Sequence, residues 1–199
     1  EGIGATPDQE IIKIVQQNGG KAIATNKDHP TGSDRVYEAY TKVFKNKIDI
    51  IINLQGDMPN INPESIIRLE KFMRKNKCEI GTLASNLRSK EEITDRNVVK
   101  VQVDQDVKNN NFLDVKDFYR TKNEIINEKI YHHIGIYAFT NTALTKYVEL
   151  PRSKVEIERN LEQMRAIENN LIIRVGLSDS IPLGVDTEED LKKVIEEIN

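Results

Sequence analysis

The segment from Ile48 to Leu54 is the feature that most limits what this chain can fold into. It is short, rich in β-branched residues and apolar at nearly every position, a pattern typical of a central parallel strand covered on both faces. It ends abruptly at Gln55-Gly56-Asp57-Met58-Pro59. Because such a strand needs helices on both sides of its sheet, the segment predicts an α/β fold.

Helix and strand patterns alternate around this segment. Helices are predicted over about 7–18, 33–44, 63–76, 142–148, 155–169 and 187–198, and further strands over about 21–25, 79–86, 99–103, 134–139 and 171–175. We therefore expect a single domain over 1–199, with a mixed, mostly parallel central sheet flanked by helices. Residues from about 104 to 128 are polar and Asn-rich, and could hold a hairpin or an arm that contacts a second subunit.

Composition narrows the classes of function. The chain has 199 residues and 38% hydrophobic content, enough for one substantial core. Its 29 Lys and Arg residues are scattered among 32 Asp and Glu residues, which disfavours a nucleic-acid surface. One cysteine, Cys78, cannot form an internal disulfide, and the longest apolar runs fall far short of the ~20 residues that span a bilayer. We expect a cytoplasmic protein that binds neither nucleic acid nor membrane.

Asp57 follows the predicted central strand, at the edge where open α/β sheets bind ligands. Gly56 permits close backbone approach to a ligand. The Asp57 carboxylate is a hard oxygen donor, which suits a magnesium ion shared with substrate phosphates. A turn Asp followed by the loop residue Pro59 explains the same pattern equally well, so the motif alone leaves both interpretations open.

A second acidic motif, Gly184-Val185-Asp186-Thr187-Glu188-Glu189, precedes the last predicted helix. Asp186 suits the N-cap of that helix, and Glu189 falls where a capping-box partner belongs. On spacing alone the helix cap is the better interpretation. Asp186 becomes a candidate metal ligand only if a partner carboxylate lies elsewhere, and Asp57 is the candidate.

Residues 29–35 place hydroxyl groups, a glycine and a fixed positive charge at a helix start. This arrangement suits nucleotide hydroxyls or phosphate, although it also suits an ordinary capped loop. His132 and His133 are adjacent on a predicted strand. They should therefore point to opposite faces, which excludes joint ligation of one metal ion.

The segment from Leu161 to Arg165 is predicted to be helical. Leu161 and Met164 should face the core, whereas Glu162 and Gln163 should lie at the surface. The chain offers no Ser/His/Asp or Cys/His pattern, so covalent catalysis is disfavoured.

Taken in order, these segments resemble the 3-deoxy-manno-octulosonate (Kdo) cytidylyltransferase family, the CMP-Kdo synthetases, from about Ala5 onward. Each match is weak alone, but their order makes the set specific. The family's N-terminal strand and its phosphate-binding loop, which carries Arg and Lys, have no counterpart before Ala5. The matching segments are Thr31-Gly32-Ser33-Asp34-Arg35, Gln55-Gly56-Asp57-Met58-Pro59, Phe118-Tyr119-Arg120, His133-Ile134-Gly135-Ile136-Tyr137, Leu161-Glu162-Gln163-Met164-Arg165 and Gly184-Val185-Asp186-Thr187-Glu188-Glu189-Asp190-Leu191.

The resemblance implies a nucleotide-diphospho-sugar transferase-like fold and a homodimer, with a small dimerisation lobe at roughly 104–131. It implies that Kdo attacks the α-phosphorus of CTP, releasing pyrophosphate and giving CMP-Kdo for lipopolysaccharide biosynthesis, with Mg²⁺ neutralising charge repulsion. The alternatives are a cytidylyltransferase for another sugar acid, such as a sialic acid, and a non-catalytic nucleotide-binding module. By the same matching, the catalytic metal ligands would be Asp57 and Asp186; the Kdo pocket would comprise Gln55, Arg120, His133, Tyr137, Glu162 and Gln163; and the CTP side would comprise Thr31, Ser33 and Arg35.

Overall fold

Strands and helices alternate along the chain. The computed structural model describes residues 1–45, 47–76, 78–108, 111–122, 129–179, 181–185 and 187–198. The strands are β1 (Gly4–Thr6), β2 (Ala22–Ala24), β3 (Ile50–Asn53), β4 (Ile80–Ser85), β5 (Lys100–Val103), β6 (Phe112–Asp114), β7 (Asp117–Tyr119), β8 (Lys129–Thr140) and β9 (Ile173–Leu177). The helices are α1 (Gln9–Gln17), α2 (Gly32–Phe44), α3 (Pro63–Asn76), α4 (Asn141–Glu149), α5 (Lys154–Arg159), α6 (Met164–Glu168) and α7 (Glu188–Ile198), with a short 3₁₀ helix at Glu91–Ile93.

The long strand β8 organises the main sheet. The strand order is β6-β9-β4-β8-β5-β7, and β3 also pairs with β8. β8 lies along β4, while its last residues pair with β3 and its first residues with β5. β1 and β2 form a separate parallel pair.

The predicted α/β fold is present, but the expectation of a mostly parallel sheet is wrong. β8 runs antiparallel to β3, β4 and β5, whereas β4 and β9 are parallel. The main sheet is therefore mixed, as predicted, but most of its strand pairs are antiparallel. The apolar residues of β3 indicate that the strand is buried on both faces. They do not indicate the direction of its neighbour, because burial is the same beside a parallel or an antiparallel strand.

Alternating side chains of β8 build a core on each face of the sheet. Tyr137 and Phe139 join one buried cluster with side chains of α2 and α4. Ile134 and Ile136 join the other with Leu69 and further side chains of α3. This period of two is what a strand buried on both sides requires.

The single helix predicted over 155–169 is instead two helices. Asn160 adopts a left-handed backbone conformation, with φ 51° and ψ 49°, and ends α5. Asn is among the few residues other than Gly that accept this conformation readily. Leu161 and Met164 are buried as predicted, but Glu162 and Gln163 lie in a turn between α5 and α6.

The segment predicted as a dimerisation arm, about 104–131, supplies the short strands β6 and β7 and the start of β8. β6 pairs with β9 and β7 with β5 at opposite edges of the sheet. Residues 109–110 and 123–128 of this segment lie outside the described residues, and its role in dimerisation stays a prediction. Among the helices that the structure describes, none has the length and apolar character needed to cross a membrane.

Candidate active site

A cleft of about 680 Å³ opens where β3 ends and α2 begins. Its walls come from distant parts of the chain, including the loop after β3, the face of β8, the turn between α5 and α6, and the loop after β9. Eight of the residues singled out in the sequence line it: Thr31, Gln55, Asp57, Arg120, His133, Tyr137, Glu162 and Gln163.

Asp57 is exposed at the cleft and carries no ion pair or side-chain hydrogen bond with any residue the structure describes. Its backbone carbonyl accepts a hydrogen bond from the Val185 amide at 2.8 Å. This bond brings the loop after β9 against the loop after β3. Asp186, the next residue after Val185 in sequence, lies outside the described residues.

Thr187 makes capping interactions with Asp190 at the start of α7. The Thr187 hydroxyl accepts a hydrogen bond from the Asp190 amide at 3.2 Å. In return, the Asp190 carboxylate accepts bonds from the Thr187 amide at 3.1 Å and the Thr187 hydroxyl at 2.7 Å. This reciprocal pattern is a capping box shifted by one residue from the predicted Asp186 and Glu189 pair.

Three alternate residues of β8, His133, Gly135 and Tyr137, form one wall of the cleft. The register between β4 and β8 shifts next to them, since Thr82 pairs with Tyr137 whereas the following Leu83 pairs with Ile134. Bulges of this kind re-aim side chains and are common beside active sites.

His133 is buried and neutral. Burial, with a smaller contribution from neighbouring His132, lowers the pKa of His133 to about 3. Its Nε2 lies 3.0 Å from the hydroxyl oxygen of Thr82, and the Thr82 hydroxyl donates to the Ile136 carbonyl at 2.7 Å. Because the single hydroxyl proton is used there, His133 must donate from Nε2, which leaves its Nδ1 as an acceptor.

Tyr137 contributes a protonated hydroxyl. Burial raises the pKa of Tyr137 well above its usual value, so the group is a hydrogen-bond donor at neutral pH. The hydroxyl is buried and has no hydrogen-bond partner among the residues that the structure describes. A buried polar group left in this state is unfavourable by about 1–3 kcal/mol, so the side chain is suited to a ligand oxygen.

Ser33 lies behind the cleft and holds Glu162. Its amide and hydroxyl both donate to the Glu162 carboxylate, at 3.3 Å and 3.2 Å. The carboxylate therefore lies at the N-terminus of α2, where the helix dipole favours negative charge. Gln163 is 6% exposed and also lines the cleft, whereas Glu162 is half-buried. The surface position predicted for Gln163 is therefore wrong, because α5 ends at Asn160.

The two arginines predicted as site residues, Arg120 and Arg35, lie in different places. Arg120 lines the cleft, and its Nη1 donates to the carbonyls of Arg96 and Asn97 at 3.0 Å and 3.3 Å. Arg35 does not line the cleft; its Nη1 donates to the Thr25 hydroxyl at 2.7 Å and the Asn26 carbonyl at 2.8 Å. Arg35 thus ties the loop after β2 to α2.

Several lining residues lie outside the predicted set of site residues, although His132 belongs to the histidine pair noted in the sequence. His132 reaches the cleft as well as His133, with its Nδ1 3.3 Å from the Glu92 carboxylate. Arg152 and Asn160 line it from the two ends of α5. A signal for Asn160 was available, because Asn is a common helix-ending residue. Arg152 belongs to no motif, and its place depends on tertiary packing.

Comparison with known proteins identifies the family. A family model described as "Cytidylyltransferase" matches residues 3–176. The 3-deoxy-manno-octulosonate cytidylyltransferase of Bartonella henselae is 40% identical over 193 residues, which cover 96% of this chain and 79% of the relative. The protein of the same name from Rhodopseudomonas palustris is 41% identical over 189 residues, covering 94% and 76%.

Solved structures agree with the sequence comparison. The structure of CMP:2-keto-3-deoxy-manno-octonic acid synthetase complexed with CTP superimposes with a TM-score of 0.86 at 34% identity, over 98% of this chain and 79% of that one. The 4-diphosphocytidyl-2C-methyl-D-erythritol synthase of Anaerococcus prevotii has a TM-score of 0.59 at 14% identity, over 96% and 77%, and is similar in fold alone. The chain belongs to the cytidylyltransferase family, among the 3-deoxy-manno-octulosonate cytidylyltransferases.

Proposed function

We propose that this protein transfers CMP from CTP to Kdo, giving CMP-Kdo and pyrophosphate for lipopolysaccharide biosynthesis. One observation carries the proposal. A single cleft gathers Gln55, Asp57, His133, Glu162 and other predicted residues from separate parts of the chain, in a protein 40% identical to relatives named for this activity.

The polar groups of the cleft suit a sugar acid rich in hydroxyls. His133 offers an acceptor at Nδ1, Tyr137 offers a donor, and Gln163 offers both. Arg120 is the natural partner of the sugar carboxylate, because a guanidinium group can bind a carboxylate with two parallel hydrogen bonds. Its bonds to the Arg96 and Asn97 carbonyls would hold that side chain in place before Kdo arrives.

Asp57 and Asp186 would hold Mg²⁺. Magnesium is commonly bound by one or two carboxylates together with substrate phosphates and water, so a larger cluster of protein ligands is not needed. The carboxylate of Asp57, which pairs with no residue in the described ranges, fits this role. The contact between Val185 and the Asp57 carbonyl supports the choice of Asp186, the next residue in sequence, as the second ligand. A bound Mg²⁺ would neutralise the phosphate oxygens around the attacked phosphorus.

The protein's own contribution would be orientation and desolvation. The β8 wall would fix the sugar so that its anomeric hydroxyl faces the α-phosphorus of CTP, while Thr31 and Gly32 at the start of α2 would face the nucleotide. Holding two reactants in line removes much of the entropic barrier to transfer. We expect a cytoplasmic homodimer in which the 104–131 segment contributes to the contact, which light scattering after gel filtration would test.

The proposal is tested by incubating the purified full-length protein with CTP, Mg²⁺ and either Kdo or a sialic acid, and measuring pyrophosphate release. We expect release with Kdo, little with sialic acid, and none after chelation of Mg²⁺. Faster turnover with sialic acid would support the alternative sugar acid. Binding of CTP in calorimetry without turnover of either acid would support a non-catalytic nucleotide-binding module and contradict the proposal.

A further inference from the structure

The contacts of Arg152 leave its guanidinium group able to bind an anion in the cleft. It lies just before α5 and lines the cleft with 39% of its side chain exposed. Its Nε donates to the Glu156 carboxylate at 2.9 Å. No residue within the described ranges accepts a hydrogen bond from its two terminal nitrogens, so those donors are available on the cleft side.

The position of Arg152 is fixed from behind by a buried network. Glu156 is fully buried and receives two hydrogen bonds from Arg165, from Nε at 3.0 Å and from Nη2 at 2.8 Å. Arg165 is 1% exposed and stacks over the Tyr147 ring at 4.7 Å. A carboxylate held on one side by Arg165 gives Arg152 a rigid partner, which reduces the entropy lost when Arg152 binds a ligand.

The same network reaches the opposite wall of the cleft. Arg165 Nη1 lies 3.4 Å from the Asp34 carboxylate, and the Thr31 hydroxyl donates to Asp34 at 2.6 Å. Arg152 and Thr31, which both line the cleft, are therefore linked through Glu156, Arg165 and Asp34. The network fixes the position of Arg152 relative to Thr31, although the two side chains do not contact each other directly.

The charges of the cleft and of its reactants indicate what the guanidinium group of Arg152 binds. Among the cleft residues in the described ranges, Asp57 and Glu162 are negative while Arg120 and Arg152 are the two arginines. The reactants proposed above carry a carboxylate and a triphosphate. An arginine with available donors in a cleft that takes anionic reactants is suited to bind one of their carboxylate or phosphate groups.

We infer that Arg152 is a further substrate-binding residue, whose guanidinium group binds an oxyanion of the bound reactants. The inference rests on the proposed function for the identity of those reactants. Two sources offer this chemistry, the carboxylate of the sugar acid and the phosphates of CTP. The experiment separates them by measuring KM for each substrate.

The test compares R152A and R152K with K154A. Lys154 lies two residues further on, at the start of α5, pairs with Glu158 in solvent and has an 86% exposed side chain, so K154A removes the same charge outside the cleft. We expect R152A to raise KM for one substrate about 10- to 100-fold, R152K to recover part of the loss, and K154A to match wild type. Added guanidinium should partly restore R152A, which a purely structural defect would not show.

An increase in KM for Kdo assigns the carboxylate, and an increase in KM for CTP assigns the phosphates. KM values for R152A that equal those of K154A, in an active wild-type background, would overturn the inference while leaving the proposed function intact. If wild type has no turnover, the proposed function fails instead. Calorimetric titration of wild type and R152A with CTP or Kdo alone then decides, since equal affinities for both ligands would overturn the role of Arg152.

Discussion

The backbone amide of Val185 donates a hydrogen bond to the carbonyl oxygen of Asp57 at 2.8 Å. The two residues belong to loops that follow different strands, and the bond fixes one loop against the other at the rim of the cleft. Thr187 and Asp190 form capping interactions at the start of α7, and Asp186 lies outside the described residues. The metal-binding pair of Asp57 and Asp186 therefore stays a prediction.

Y137F tests whether the buried hydroxyl serves the substrate. Because that hydroxyl has no partner in the described part of the chain, its loss should not lower the free energy of unfolding and should raise it by up to about 1–3 kcal/mol. KM for Kdo should rise about tenfold, the equivalent of one hydrogen bond of about 1.4 kcal/mol. Steady-state kinetics and chemical denaturation measure the two effects.

The matched control is Y147F. The Tyr147 hydroxyl donates to the Glu162 carbonyl at 2.7 Å, so Y147F should lower stability by about 1 kcal/mol. A Y137F protein with the stability loss expected of Y147F and an unchanged KM would show that Tyr137 is structural.

His133 should remain neutral throughout the physiological pH range. Nitrogen NMR of histidine-labelled protein, assigned with H133N, should show the Nε2–H tautomer and no protonation until the pH nears 3. The unfolded chain takes up this proton near pH 6.5 whereas the folded protein does not, so His133 should reduce stability progressively as the pH falls from about 6.5 toward 3. Titration of His133 near pH 6.5 in the folded protein would contradict the assignment.

E156Q should strongly destabilise the fold. The change removes the carboxylate that accepts two hydrogen bonds from the buried Arg165 and leaves only Asp34, at 3.4 Å, beside that guanidinium group. Breaking a buried pair of this kind costs about 3–5 kcal/mol. Although burial raises the pKa of Glu156, hydrogen bonds from Arg165 and Arg152 hold it below its usual value of 4.5. Its contribution to stability is therefore present above pH 4.5 and is lost as the pH falls below that value.

The matched control for E156Q is E158Q on the same helix. Glu158 is 58% exposed and pairs with Lys154, and pairs of this kind contribute less than about 1 kcal/mol. Denaturation curves that extend from pH 7 to well below pH 4.5 should show a flatter pH dependence for E156Q than for E158Q. Equal stability of the two variants would refute the role given to the buried network.

Local signals predicted the elements well, because each depends on residues close in sequence. The apolar run around Ile51 became β3, and the motif that follows it reached the cleft as expected for residues beyond a strand end. The relative direction of the strands could not be predicted from the sequence. It depends on β8, which is inserted from much later in the chain, and burial on both faces carries no information about direction.

The candidate site was predictable where its residues belong to ordered motifs, and less so where tertiary contacts decide. The hydrophobic pattern of a helix continues through Asn160 without interruption. The end of α5 at Asn160, which brings Glu162 and Gln163 to the cleft, was therefore indicated in the sequence only by the asparagine itself. Arg35 was expected near the nucleotide because it follows a loop of hydroxyl residues. Its guanidinium group donates to the Thr25 hydroxyl and the Asn26 carbonyl, contacts that spacing within the loop cannot reveal, and its place beside the nucleotide stays a prediction.

The most direct test of the account is CMP-Kdo formation by D57N compared with wild type, followed by phosphorus NMR with CTP, Kdo and Mg²⁺. Asp57 is exposed and makes no side-chain contact that supports the fold in the described residues. We therefore predict loss of turnover by at least about 100-fold, or roughly 2.7 kcal/mol of transition-state stabilisation, with an unchanged melting temperature. A D57N enzyme that forms CMP-Kdo at close to the wild-type rate would contradict the central claim that this carboxylate serves the transfer reaction.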